Sequence, residues 1–186
     1  DTADSKILND YNLKAGKFIL CVGRIEPENN YEMIFKSYVK AKLNIPLIII
    51  GNHLTKFGDY LKDKFKNENI YFFGAIYDKK ILNNLRYYSK FYVHGHSVGG
   101  TNPSLIEAMS ASALVLVHRN KFNLSVLTNN ELAFSNSDEL KELLLDSKIV
   151  SEKKKHISEN LKIIKEKFSW QKIIDDYETF FLSILN

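Results

Sequence analysis

The chain has 186 residues, 45% of them hydrophobic and 26% charged, which suits one well-buried core and leaves little room for a second full domain. Lys and Arg number 26 against 22 Asp and Glu; the resulting +4 is too weak to argue for nucleic acid. The composition excludes disorder of the whole chain, the single cysteine excludes an internal disulfide framework, and no apolar run approaches the ~18 residues of a membrane-spanning helix.

The opening residues Asp1-Thr2-Ala3-Asp4-Ser5 include neither an initiating Met nor a signal peptide. The chain therefore reads as a cytoplasmic segment of something longer, with residues 1–17 as a lead-in and 18–186 as one domain. Short β-branched or aromatic runs alternate with longer helical patterns, the rhythm of an α/β domain with a parallel sheet. Strands are expected at 18–22, 46–50, 70–73, 91–94, 113–117 and 132–134. They are continuous apolar runs, as strands covered by helices on both faces require. Helices are expected at 28–43, 54–66, 79–88, 103–111, 137–146, 151–167 and 170–185, with Pro103 in the first turn of its helix, where a missing N–H is harmless. Cys21 falls inside the first strand and reads as a buried, inert thiol. The basic run Lys153 to Lys155 reads as a solvated helix face, with attraction to an anionic membrane surface as the alternative.

The fold class is thus a doubly wound, Rossmann-like parallel sheet of about six strands. In such sheets ligands bind beyond the C-terminal strand ends, near the switch in strand order. After the first strand comes Gly23-Arg24-Ile25-Glu26-Pro27-Glu28-Asn29-Asn30. Its glycine permits close backbone approach, and Arg24 offers a fork of donors suited to phosphate. An Arg paired with Glu26 or Glu28 in an ordinary turn explains the same residues equally well. After the fourth strand, Gly95 to Asn102 supplies two adjacent glycines and several small polar residues ahead of the Pro103 helix, whose first N–H groups form a nest for a diphosphate. Glu107, in the first turns, could accept hydrogen bonds from sugar hydroxyls. His94 and His96 are not spaced with further ligands for a metal, and no metal is assigned.

In sequence these loops resemble the C-terminal "glycosyl transferases group 1" domain of retaining, two-domain (GT-B) glycosyltransferases of family 4. The resemblance runs through Val22-Gly23-Arg24-Ile25, Ile50-Gly51-Asn52, Phe72-Phe73-Gly74-Ala75, the Gly99-to-Met109 segment and Phe168-Ser169-Trp170. The segments from Arg24 to Asn30 and from His94 to Ser104 resemble a rhamnosyltransferase-like branch that makes capsule, O-antigen or related polysaccharide units. What the resemblance implies is transfer of a sugar from a nucleoside-diphosphate donor, UDP or dTDP, to a saccharide acceptor carried on a lipid. No further cofactor is implied. The acceptor site would lie in an N-terminal GT-B domain of the same protein, onto which the closing helix commonly crosses, at the inner face of the membrane.

By the same resemblance Gly23 and Arg24 would meet the donor diphosphate, and Ser104 and Leu105 would offer it helix-start N–H groups. Glu107 would hold the nucleotide ribose, the Gly74, Ala75 and Ile76 backbone would meet the base, and Gly99, Gly100, Thr101 and Asn102 would surround the donor sugar. Arg24 and Glu107 are the candidate catalytic residues. Two positions depart from the family: Asn29 stands where a lysine is usual, and Gly99 stands where a second glutamate, eight positions before Glu107, is usual. The departures fit a changed donor sugar. They also leave open a noncatalytic sugar-nucleotide-binding module, with a GT-B-fold epimerase or hydrolase as a third reading.

Overall fold

The computed structural model describes residues 3–127 and 129–185. Six parallel strands form one sheet: β1 (Ile19–Val22), β2 (Leu47–Ile50), β3 (Ile70–Gly74), β4 (Phe91–His94), β5 (Val115–His118) and β6 (Ala133–Phe134), in the order β3-β2-β1-β4-β5-β6. Strands this short suffice because the central ladders are in register, Ile19 to Val22 opposite Leu47 to Ile50 on one side and Ile19-Leu20 opposite Phe91-Tyr92 on the other. The chain winds outward from β1 to β3, then returns to the other side of β1 as β4. The switch in order therefore lies between β1 and β4.

Alternate side chains of each strand enter opposite layers. One layer joins Ile19, Cys21, Leu47 and Ile49 to Ile34, Phe35 and Tyr38 of α2 (Tyr31–Ala41), Leu61 of α3 (Lys56–Lys64), and Leu140 and Leu144 of α7 (Ser137–Leu145). The other joins Leu20, Ile48, Tyr92 and Val115 to Leu85 of α4 (Lys79–Tyr88), Leu105, Ala108 and Met109 of α5 (Pro103–Ser110), and Ile163 of α9 (Lys153–Lys167). Each fully buried Leu, Ile or Phe contributes about 1.5–3 kcal/mol, so both layers are needed to hold so short a ladder together.

The helix expected over 28–43 is interrupted. A 3-10 turn at Pro27–Asn29 ends at Asn30, which adopts a left-handed conformation (φ 54°), and only then does α2 begin. The expected 54–66 helix starts late because Thr55 caps it by accepting from Gly58 N–H. Ahead of the expected 151–167 helix lies a separate turn, α8 (Ser147–Ser151), and Glu152 divides the two. Two short helices, α1 (Ile7–Asp10) and α6 (Lys121–Val126), were not legible, since four to six residues are too few to display a helical period. The 1–17 lead-in is packed onto the domain: Leu8 and Leu13 are buried in the second core layer, and Gly16 N–H donates to Tyr88 O at 2.7 Å.

No helix among the described residues is long and apolar enough to cross a membrane. Lys153 does not belong to an open basic face; it is half-buried, and its Nζ donates to Ser89 O at 3.3 Å, while Lys154 and Lys155 are exposed. The closing helix α10 (Trp170–Leu185) leaves Trp170, Ile174, Tyr177 and Phe181 exposed at helical spacing, one continuous apolar stripe.

Candidate functional site

The C-terminal ends of β1 and β4, on either side of the order switch, open into a cleft of about 200 Å³ lined by Gly23, Arg24, Asn29, His94, Gly95, His96, Asn102 and Ser104, among others. Its walls are the two loops singled out from sequence, and they are stitched together. Asn30 Nδ2 donates to Gly95 O at 2.8 Å, and the Ser97 N–H and hydroxyl both donate to Glu28 O. Asn29 carries two further bonds: its Nδ2 donates to Arg24 O at 2.7 Å, and its Oδ1 lies 2.8 Å from His96 Nδ1. The asparagine that replaces the usual lysine therefore works as a neutral brace between the loops. On the far side, Asn120 and Asn123 both donate to His96 O and His118 O, tying the β4 loop to the β5 loop.

Arg24 stands at the rim with its side chain 74% exposed and pairs loosely with Glu26 at 3.3 Å, so both of the roles open to it in the sequence are compatible with its position. An exposed pair of this kind contributes about 0–1 kcal/mol and is readily exchanged for an anionic ligand. The helix start is already engaged. Asn102 caps α5, its Oδ1 accepting from Ser104 N–H at 2.9 Å and its backbone O from Leu105 N–H at 3.1 Å. Contact of these N–H groups with phosphate requires that cap to open. The Leu105 side chain is fully buried in the core. Ser104 Oγ faces the cleft floor, 2.7 Å from Tyr92 Oη, and both hydroxyls lie near Val22 O.

Gly99, Gly100 and Thr101 lie exposed in the loop above the cleft, outside its lining. Gly99 has φ +84°, a conformation that side-chain-bearing residues rarely adopt, so this backbone disfavours a glutamate at the position. Gly74 ends β3, which is two strands away from β1, Ala75 and Ile76 follow it ahead of α4, and none of the three lines the cleft. Glu107 lies one turn below Ser104 on α5 and also outside the cleft lining. Its Oε2 accepts from Arg86 Nη2 at 2.6 Å. Arg86, on α4, is a residue that sequence reasoning missed: 21 positions separate it from Glu107, and no spacing rule connects them.

Burial governs the titrations here. It pushes the Cys21 thiol and the Tyr31 hydroxyl well up and raises Tyr92 to about 12, which makes Cys21 an inert wall of the cleft. His94, only 4% exposed, is lowered to about 3, first by desolvation and then by the neighbouring His96 and His118. Its imidazole is neutral in the fold and takes up a proton on unfolding near pH 6.5. Stability is therefore at its highest above that pH and falls as the pH drops toward 3, because only the unfolded chain binds the proton. Burial lowers His118 too, so its effect has the same sign. Chemical denaturation should show a loss of about 1.5 kcal/mol between pH 6.5 and 5 from His94 alone. His94→Gln should flatten that slope, and an unchanged slope would contradict the assignment.

Comparison with known proteins places this geometry in a family. Residues 5–163 match the family described as glycosyl transferases group 1. An uncharacterized glycosyltransferase of Methanocaldococcus jannaschii is 30% identical over 200 residues, covering 98% of this chain and 49% of its own length. The Campylobacter jejuni N-acetylgalactosamine-N,N'-diacetylbacillosaminyl-diphospho-undecaprenol 4-alpha-N-acetylgalactosaminyltransferase is 28% identical, covering 77% of this chain and 41% of its own length. The chain thus spans about half the length of these curated relatives. Among solved structures, Anabaena Alr3699/HepE in complex with UDP-glucose superposes with a TM-score of 0.77 at 16% identity, over 96% of this chain and 52% of that one. The chain belongs to the glycosyl transferases group 1 family, and its fold is that of the Rossmann-like C-terminal half of a GT-B glycosyltransferase.

Proposed function

We propose that this domain binds the nucleoside diphosphate of a sugar donor, UDP or dTDP, and that with a second, N-terminal domain it transfers the sugar to a saccharide acceptor. The observation that carries the reading is the cleft at the β1/β4 switch, with Arg24 at its rim and the start of α5 at its wall. At about 200 Å³ it falls short of the roughly 300–1,000 Å³ of whole-ligand pockets and suits the diphosphate, with nucleoside and sugar extending over the rim. As the sugar–phosphate bond breaks, charge builds on the departing diphosphate while the sugar becomes oxocarbenium-like. The Arg24 guanidinium, exchanged from Glu26, and the α5 N-terminus, once its Asn102 cap opens, stabilise that charge. No step calls for a metal, and the reading is that of a family 4 enzyme retaining the anomeric configuration.

Glu107 is assigned to the ribose, and the Gly74-to-Ile76 backbone to the base. A deoxyhexose such as rhamnose is the proposed donor sugar, because Gly99 presents no carboxylate to its hydroxyls. A lipid-linked acceptor, met at the inner membrane face during polysaccharide synthesis, is supported by the Campylobacter relative, whose name specifies a diphospho-undecaprenol acceptor. The apolar stripe of α10 is proposed to pack on the N-terminal domain.

Calorimetry with UDP and dTDP tests the reading. Binding of one of them is expected, and Arg24→Ala should weaken it about tenfold. That is the lower end for a charge-assisted bond, chosen because Arg24 is largely solvated. Failure of both nucleotides to bind, or unaltered affinity in Arg24→Ala, would count against the reading.

A further inference from the structure

Arg86 is a buried cation without a stability rationale. Its side chain is 3% exposed, its Nη2 donates to Glu107 Oε2 at 2.6 Å and its Nη1 to Asn83 Oδ1 at 3.2 Å. Its Nε is buried with no hydrogen-bond partner among the described residues. Replacing a buried ion pair by apolar residues of similar volume is often neutral or stabilising, and an unsatisfied buried donor adds a further penalty. Such an arrangement persists where it positions something. What it positions is a carboxylate 51% exposed, gripped through one oxygen.

The location of that carboxylate is informative. Glu107 stands one helical turn from Ser104, which lines the diphosphate cleft. Arg86 reaches it from α4, the helix that follows the Gly74-to-Ile76 loop assigned to the base. In a nucleoside diphosphate the ribose is the unit joining base to diphosphate. A ligand that meets both the loop and the cleft carries its ribose between them, and the carboxylate assigned to that ribose is the one that Arg86 grips.

We propose that Arg86 is a positioning residue that holds the Glu107 carboxylate by Oε2 and so presents Oε1 to the ribose hydroxyls of the donor. The inference rests on the proposed donor-binding role. It adds that selectivity for an intact ribose depends on a side chain that need not touch the ligand. A carboxylate on a long, half-exposed side chain loses rotamer freedom on binding; one already anchored by a buried guanidinium loses little.

The test is calorimetry with the full chain, using whichever of UDP and dTDP binds and its counterpart lacking ribose hydroxyls (2′,3′-dideoxy-UDP or 3′-deoxy-dTDP). The readout is the affinity ratio within the pair. The unaltered chain should prefer the intact ribose about tenfold or more. Arg86→Met should reduce the preference to about twofold while leaving affinity for the deoxy form nearly unchanged, and Arg86→Lys should restore at least half of it. A purely structural role for Arg86 predicts that both affinities fall together at a constant ratio, and that result overturns the proposal. If Arg86→Met does not fold, Arg86→Gln, which keeps a polar amide in the same space but removes the ion pair to Glu107, is read in the same way: a reduced ratio supports the proposal and an unchanged one overturns it. Absence of any nucleotide binding would instead refute the donor-binding reading. Binding with no preference for ribose hydroxyls in the unaltered chain would refute the present inference alone.

Discussion

Gly95→Ala is expected to lose about 2–3 kcal/mol of stability, lowering the melting temperature by roughly 5–10 °C, and to weaken nucleotide binding as well. A Cβ at this position would overlap the backbone oxygen of Asn29 and come within 2.8 Å of Ile34 Cδ1. Neither neighbour can withdraw. Ile34 is on the buried face of α2, packed into the core, and the Asn29 segment is held by the Asn30–Gly95, Ser97–Glu28 and Asn29–Arg24 hydrogen bonds. Relief of the overlap must therefore push apart the two loops that form the cleft. Gly100→Ala is the control: a Cβ there meets no heavy atom within 4 Å, and stability should change by no more than about 0.5 kcal/mol. Thermal melting of the two variants reads the contrast, and equal melting temperatures would contradict it.

Glu107→Ala should destabilise the fold by about 2 kcal/mol although Glu107 itself is half-exposed. The penalty arises at Arg86, whose buried guanidinium is left with Asn83 alone. Breaking a fully buried pair typically costs about 3–5 kcal/mol, and the partial solvation of Glu107 argues for a smaller figure. Arg86→Met combined with Glu107→Ala removes the stranded charge, so the double variant should be more stable than Glu107→Ala. Urea denaturation of the three variants measures the coupling. Strict additivity would mean that the pair contributes nothing as a pair.

How far the sequence carried the reading depended on whether a feature was local. The strands at 91–94 and 70–73 were visible because a covered parallel strand is a short unbroken apolar run, and helix 79–88 because its period is carried by residues three and four apart. The β1 loop was visible as a glycine and an arginine following a strand, and the β4 loop as two glycines and small polar residues ahead of a proline-started helix. The break at Asn30 was hidden, since one left-handed asparagine leaves the surrounding helical pattern intact. Asn29 was legible only as a missing positive charge. Its positive content, a bridge from Arg24 O to His96, needs a contact between residues 67 positions apart. The same applies to Arg86, which in sequence is an unremarkable basic residue on an amphipathic helix. Gly99 is the reverse case. The absence of a glutamate looked like a loss, and the positive φ provides a backbone reason for the glycine.

The central claim is that a nucleoside diphosphate occupies the cleft between the β1 and β4 loops, and backbone amide NMR during titration with UDP or dTDP tests it most directly. The account predicts saturable shifts concentrated in residues 23–30 and 95–107, with a weaker set at 74–76 and almost none in α7 or α9. Shifts confined to other surfaces, such as the apolar stripe of α10, or no saturable shifts with either nucleotide, would contradict it.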